Sequence, residues 1–193
     1  MCHLGVAKDV CAYLSHHIKK DTVVKSPFKN NFKVDHQGLQ FDVIVENADA
    51  CKRYAGVSIQ GVTIGESPTW LQQKLKAIGV KSINNIVDIT NYILHETGQP
   101  LHAFDAAIIE GKKITVKNLP EGTPFISLDD KERKLSANDL MICDGKKTPM
   151  CIGGVFGGLT SGIKSTTKNI FLESAWFNPS TIRKSSLHHG LRS

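Results

Sequence analysis

No stretch of this 193-residue sequence approaches the roughly 18 consecutive apolar residues that a membrane-spanning helix requires. Its most apolar stretches, Ala106–Ile109 and Ile170–Leu172, are strand-sized. The N-terminus lacks the charged start and hydrophobic block of a secretory leader, so none is expected there. No C-x-x-C pair occurs among the five cysteines, Cys2, Cys11, Cys51, Cys143 and Cys151. Their wide spacing argues against a structural zinc site or a thioredoxin-like motif, and reduced thiols in a cytoplasmic protein are the simplest expectation. Gly-x-Ser-x-Gly and His-Glu-x-x-His are both missing, which leaves a nucleophile elbow and a zinc protease without support. No internal repeat or low-complexity segment interrupts the chain.

Acidic residues end early. None follows Glu173, whereas Arg183, Lys184, His188, His189 and Arg192 all do. With a formal net charge of +6, this gathers positive charge at the C-terminal end. Either a polyanionic partner or a lysine-rich soluble surface accounts for it. Adjacent on a helix, His188 and His189 point in different directions; they are poor joint metal ligands and are assigned to the basic tail.

Leu4, Ala7, Cys11, Leu14 and Ile18 recur at helical spacing and predict a helix over about Leu4–Ile18. A polar stretch, Lys19–Gln40, reads as linker or exposed edge. Alternation over Phe41–Val45 predicts a strand, and Tyr54–Ile64 is β-rich but broken by Gly56 and Gly61. Ser67-Pro68 is the start signal of a helix, with serine at the N-cap, an apolar face of Trp70, Leu71, Leu75 and Ile78, and Gly79 as its stop. Asn85 is placed as the cap of a helix over Ile86–Glu96 with face Ile86, Ile89 and Ile93, closed by Gly98. Beyond Lys112 short strands are predicted at Ile114–Val116, Pro124–Leu128, Leu140–Cys143 and Ile170–Leu172, separated by turn residues. Asn178–His188 reads as a last helix before Gly190. Helices mixed with antiparallel-looking strands give an α+β fold with a β-rich core.

Three motifs carry the chemistry. In the first, a helix ends at Gly98 and Pro100 fixes an extended turn that presents His102. A histidine there serves as general base or orients a water; the plainer alternative is a loop histidine bonded to backbone. The second is Gly153-Gly154-Val155-Phe156-Gly157-Gly158. Four glycines in six residues let backbone N–H groups approach a ligand, or else form a bulged strand end. Neither dinucleotide-fingerprint nor phosphate-loop spacing is present. The third is Glu173 in Phe171-Leu172-Glu173-Ser174-Ala175. At a sheet rim it faces water, the commoner case; desolvated, it discriminates strongly for a ligand hydroxyl.

The ordered set of segments resembles one known family. Ile83-Asn84-Asn85-Ile86-Val87-Asp88-Ile89-Thr90-Asn91-Tyr92, Gly98-Gln99-Pro100-Leu101-His102-Ala103-Phe104-Asp105, the glycine-rich segment, Leu172-Glu173-Ser174-Ala175 and His189-Gly190-Leu191-Arg192 are similar to the B3/B4 region of the bacterial-type phenylalanyl-tRNA synthetase β subunit. His3-Leu4-Gly5-Val6-Ala7-Lys8-Asp9 looks like the segment leading into it. The resemblance implies sandwich-like sheets, antiparallel or mixed, with flanking helices. It divides the chain into a helix and linker over 1–39 and a tRNA-editing domain over 40–193. That domain is expected to hydrolyse tyrosine misattached to tRNA(Phe), because a pocket shaped for Phe does not easily exclude Tyr and a second sieve is useful. By the same resemblance, Glu173 binds the phenol hydroxyl and His102 lies near the ester. Gly157, Thr90 and Asn91 fall on further pocket positions, and Gly154 and Ser193 complete the expected substrate-binding set; because ester hydrolysis needs a stabilised oxyanion, backbone N–H groups near Gly157 are expected to be its donors. Ser193 falls where a threonine is usual, and Lys81 where some relatives have arginine. No cofactor or metal is implied for this stretch; ATP and magnesium belong to the whole ligase. The implied partners are tRNA(Phe) and an α subunit, in a heterotetramer of two α and two β chains in the cytoplasm. By itself this stretch is expected not to charge tRNA. A tRNA-binding scaffold without catalysis is the alternative.

Overall fold

The computed structural model describes residues 2–26, 28 and 31–191. The chain forms two compact units, residues 1–38 with 66–101 and residues 39–65 with 102–193.

The first unit is helical: α1 (His3–Ile18), α2 (Thr69–Ala77) and α3 (Asn85–Thr97). The Cys2 Sγ caps α1, accepting from the Gly5 N–H at 3.2 Å. Along the predicted stripe Leu4, Ala7, Cys11 and Leu14 are half-buried, while Ile18 is exposed. Leu71 and Leu75 of α2 are fully covered. The unit is organised by a carboxylate. Asp88, in the first turn of α3 and wholly buried, accepts from Ser67 Oγ, Ser82 Oγ and, at 2.9 Å, the Ile83 N–H. Burial opposes its charge, but these bonds outweigh it and hold its carboxyl below the usual range. Ser67 is therefore not the cap of α2. Pro68 occupies that position with no side-chain bond, because the serine hydroxyl is spent on Asp88. Asn84 rather than Asn85 caps α3, accepting from the Val87 N–H at 3.0 Å. Ile89, predicted on the apolar face, is exposed, and the covered position of that turn goes to Asp88.

The second unit is built of strands. β1 (Asp42–Val45), β4 (Lys113–Asn118), β7 (Leu140–Cys143), β8 (Pro149–Ile152) and β9 (Phe156–Gly157) form a five-stranded sheet in that order. β1 and β4 are parallel, with Ile44 opposite Thr115; the other pairs are antiparallel. β2 (Cys51–Gln60), β10 (Asn169–Phe177) and β3 (Leu101–Asp105) form a second sheet, ordered β2-β10-β3. β5 (Pro124–Ile126) and β6 (Glu132–Lys134) make a hairpin. All four residues of β7 are buried. Side chains alternate across a strand, so Leu140 and Ile142 join one apolar cluster and Met141 and Cys143 the other. This explains why the central strand reads as an unbroken apolar run. The larger cluster lies between the sheets: Cys51, Phe104 and Phe171 come from the three-stranded one, and Ile114, Val116, Ile142 and Cys151 from the five-stranded one. The fold is α+β with sandwich-like packing. Gly56 does not break its strand as the sequence suggests; β2 runs straight through it.

α4 (Pro179–His189) closes the unit, capped by Asn178 and ended by Gly190 at φ 62°. It is fastened to the start of β7 by buried Asp139, which accepts from Ser185 Oγ at 2.6 Å, from the Ser136 N–H at 2.8 Å and pairs with His189 Nε2 at 2.7 Å. His189 is thus no part of a solvated basic tail: its side chain is 4% exposed. Arg133 Nη1 donates to the His189 carbonyl oxygen at 3.0 Å, tying the hairpin to the helix end.

Burial disfavours the Asp139 charge, but the Ser185, His189 and Ser136 bonds hold its carboxyl below the ordinary value. A lowered carboxyl stabilises the fold above its unfolded value of about 3.9, and that stabilisation is lost as pH falls through the lower folded value. Asp139→Ala is expected to cost about 3 kcal/mol in urea unfolding at pH 7, because His189 and the Ser136 N–H lose their partner. The difference from the parent should shrink in parallel titrations below pH 4; a constant difference would exclude the charged contact as its source.

Candidate functional site

Glu173 sits in the middle of β10, directly opposite Gly56 of β2. Side chains on facing positions share a face, so Tyr54, Gly56 and Ser58 lie with Ala175, Glu173 and Phe171. Phe171 belongs to the inter-sheet core, which sends Glu173 inward as well. Only 5% of Glu173 is exposed, so the commoner expectation of a carboxylate facing water at a sheet rim is overturned. The strand continues past Glu173 to Phe177 and places it mid-sheet.

Gly56 makes this arrangement possible. A Cβ there would stand 2.0 Å from Cζ of Phe171; the ring, edge-on to Phe41 at 5.3 Å between centroids, occupies that space. Tyr54 Oη donates to Glu173 Oε2 at 2.7 Å. Among the described residues this is the one side-chain bond Glu173 receives. Burial pushes the Glu173 carboxyl up to about 7, and the tyrosine bond opposes the rise. Tyr54 is itself raised well above its ordinary value by burial and by the neighbouring carboxylate.

His102 lies on β3, next to β10 in the sheet. It is held by a strand, where the sequence suggests a turn fixed by Pro100. Its ring meets Phe104 edge-on at 4.5 Å. Phe104 shares the inter-sheet core with Phe171. His102 is two residues from Phe104, as Glu173 is from Phe171, so both project from the same face of the sheet. His102 Nε2 is buried and has no hydrogen-bond partner among the described residues. Burial lowers the imidazole to about 4, so it is neutral near pH 7. The far end of β3 is anchored: the Asp105 N–H donates to the Ser161 carbonyl at 3.2 Å, and Thr167 Oγ1 to Asp105 Oδ2 at 2.7 Å.

The glycine-rich segment divides. At Gly157 a Cβ would lie 2.8 Å from Leu128 Cδ1, 3.2 Å from His102 Cε1 and 3.5 Å from His102 Nε2, so backbone and imidazole are in close approach. The Leu128 N–H donates to the Gly157 carbonyl and the Gly158 N–H to the Met150 carbonyl, which removes those two amides from any set of free donors. Gly157 also faces Cys151 across the β8–β9 pair, and the Cys151 thiol is raised by burial and by the charge of Glu173. Gly154 is surrounded differently. With φ 68° it packs on Phe177 and Ile182 of α4.

The structure thus places His102 and Glu173 on the same face of the three-stranded sheet, with Gly157 of the five-stranded sheet in close approach to the His102 ring. Thr90 and Asn91 are half-buried on α3 in the other compact unit, and the Thr90 hydroxyl donates to the Val87 carbonyl at 2.7 Å. Ser193 lies outside the described residues. Tyr54 and Gly56 are site residues that reading the sequence missed. The signal was a glycine inside a β-rich run, which marks close approach as well as interruption. No group of three His, Cys, Asp or Glu that could hold a metal occurs among the described residues.

The two titrating groups have opposite effects on stability. A raised carboxyl favours the fold below its unfolded value and loses that contribution as pH rises through about 7. A lowered imidazole favours the fold above its unfolded value and loses that contribution as pH falls through about 4. Unfolding midpoints from pH 4 to 9 should therefore lose their alkaline decline in Glu173→Gln and become flatter on the acid side in His102→Gln. Parent-like profiles in both variants would mean that neither group is buried as described.

Comparison with known proteins is consistent with this architecture. Residues 50–193 match the model of the B3/4 domain family. The phenylalanine–tRNA ligase β subunit of Bacteroides thetaiotaomicron is 56% identical over 189 residues, covering 98% of this chain and 23% of that protein. The corresponding subunit of Bacteroides fragilis is 53% identical with the same coverage. An N-terminal fragment of the phenylalanyl-tRNA synthetase β subunit from Pyrococcus horikoshii superposes with a TM-score of 0.56 at 11% identity, over 84% of this chain and 52% of that one; this likeness concerns the fold alone. The chain spans about a quarter of the length of its curated relatives. It belongs to the B3/4 domain family and is a module of the phenylalanine–tRNA ligase β-subunit type.

Proposed function

We propose that this module hydrolyses tyrosine wrongly esterified to tRNA(Phe). One observation carries the reading: a buried carboxylate, Glu173, with a single side-chain partner among the described residues, lies on the same sheet face as a neutral histidine whose Nε2 has none among them. A desolvated carboxylate rewards a ligand that brings a hydroxyl and penalises one that leaves it unpaired. Tyrosine and phenylalanine differ by that hydroxyl, and Glu173 already accepts a phenol from Tyr54. Ester hydrolysis further needs a water aimed at the carbonyl carbon and a stabilised oxyanion. Neutral His102 takes the role of accepting from or holding that water, with the backbone at Gly157 beside it. The ribose hydroxyl next to the ester assists, which makes catalysis partly substrate-assisted. In this reading the whole enzyme is the ligase that joins phenylalanine to its tRNA with ATP and magnesium. The module then works in the cytoplasm within an assembly that includes the α subunit.

The test is deacylation of tyrosyl- and phenylalanyl-tRNA(Phe) by the full enzyme. Glu173→Ala should weaken Tyr selection by about 2–3 kcal/mol, the value of a charge-assisted bond in a desolvated pocket. Unchanged discrimination between the two esters would exclude Glu173 as the selector. Substituting His102 by alanine should slow tyrosyl-tRNA hydrolysis by about tenfold, below the roughly 10²–10⁴ range of a full general base, with the unfolding transition preserved. A normal rate would strip His102 of its role, and a parent enzyme that binds tRNA without hydrolysing the tyrosyl ester would favour the scaffold reading.

A further inference from the structure

Glu173 has two oxygens and, among the described residues, one side-chain partner. Tyr54 Oη is 2.7 Å from Oε2. Tyr54 reaches it diagonally, since the residue directly opposite Glu173 is Gly56 and Tyr54 stands opposite Ala175. The phenol therefore approaches from one side along the sheet, and the space a side chain would take at Gly56 is filled by the Phe171 ring, so no β2 side chain directly opposite Glu173 reaches its second oxygen. Tyr54 is half-buried on β2, whose pairing with β10 is continuous from Tyr54 to Gln60.

We propose that Tyr54 is a positioning residue for phenol selection: by tying down one oxygen of Glu173, it fixes the carboxylate so that the other oxygen is presented to the hydroxyl of a bound tyrosyl group. This rests on the editing reading above and extends it to a residue outside the recognised motifs. Desolvation supports the need for such a residue. A carboxyl buried in an apolar core tends to take up a proton and rotate, which weakens it as an acceptor. The ionisable groups toward Glu173 are Tyr54 and Cys51 of β2, Cys151 of β8 and His102 of β3. The short turn 106–108 packed on β10 has none. His102 is neutral at pH 7 and the thiols are raised, so none of these groups supplies a cation to the carboxylate. The Tyr54 hydrogen bond is the interaction that opposes protonation of the carboxyl.

The experiment compares the parent enzyme with Tyr54→Phe in hydrolysis of tyrosyl- and phenylalanyl-tRNA(Phe) from pH 5.5 to 8.5, with the Glu173 carboxyl followed by ¹³C NMR. Tyr54→Phe should reduce Tyr-over-Phe selection about fivefold at pH 7, the loss expected for one net hydrogen bond. Selection should recover at higher pH, and the carboxyl midpoint should move upward. A purely structural role would lower both rates together and leave the pH profile in place. Placing 3-fluorotyrosine at position 54 keeps the ring and strengthens the donor, so it should shift the profile downward; this tests the idea even if the phenylalanine variant fails to fold. If selection, profile and carboxyl midpoint are unchanged in both variants while the parent still selects Tyr, the Tyr54 proposal is overturned and the editing reading stands. If the parent enzyme shows no preference for the tyrosyl ester, both fall together.

Discussion

Closure of one sheet over the other decides the chemistry of this module. Phe171, Phe104 and Cys51 face Ile114, Val116 and Ile142 across an apolar interior, and Glu173 is carried toward that interior by the same strand that carries Phe171. An apolar interior raises a carboxyl and lowers an imidazole. Both shifts are present here, about 7 for Glu173 and about 4 for His102. Core packing and site electrostatics are one phenomenon: what stabilises the sandwich also keeps both groups close to neutrality.

Polar clamps hold that arrangement in place. Asp139 fixes α4 through Ser185 and His189, Asp105 joins β3 to the segment following β9 through Ser161 and Thr167, and Asp88 gathers Ser67, Ser82 and Ile83 in the helical unit. In each case a buried carboxylate is surrounded by donors, which is the condition under which burying one is tolerated. Glu173 differs because a single phenol serves it. That contrast, between Asp88 and Asp139 with three donors each and Asp105 with two on one side and Glu173 with a single side-chain donor on the other, separates structural acids from the candidate functional one.

Much of the architecture was legible from local pattern. Helical spacing located α1 and α4 almost to the residue, and the run Leu140-Met141-Ile142-Cys143 matched β7. Cap assignments slipped where a side chain had a stronger distant partner: Ser67 looked like a helix cap because its bond to Asp88, 21 residues away, has no local signature. His189 looked like basic tail for the same reason, since Asp139 lies 50 residues earlier. Gly56 resembled a strand breaker because Phe171, which fills the space above it, is distant in sequence.

The sequence by itself determined the composition of the two-sided core strand, the helix boundaries set by Asn178 and Gly190, and the three segments bearing His102, Gly157 and Glu173. Those features depend on residues within a few positions of one another, where period and capping chemistry act. Only the tertiary structure decided that Glu173 points inward, that Tyr54 bonds to it, that His102 Nε2 is left without a partner among the described residues and that Gly157 presses on that ring. Each of these follows from strand register and sheet stacking, which bring together residues up to 119 positions apart, and a one-residue slip in register would turn Glu173 to the opposite face of its sheet.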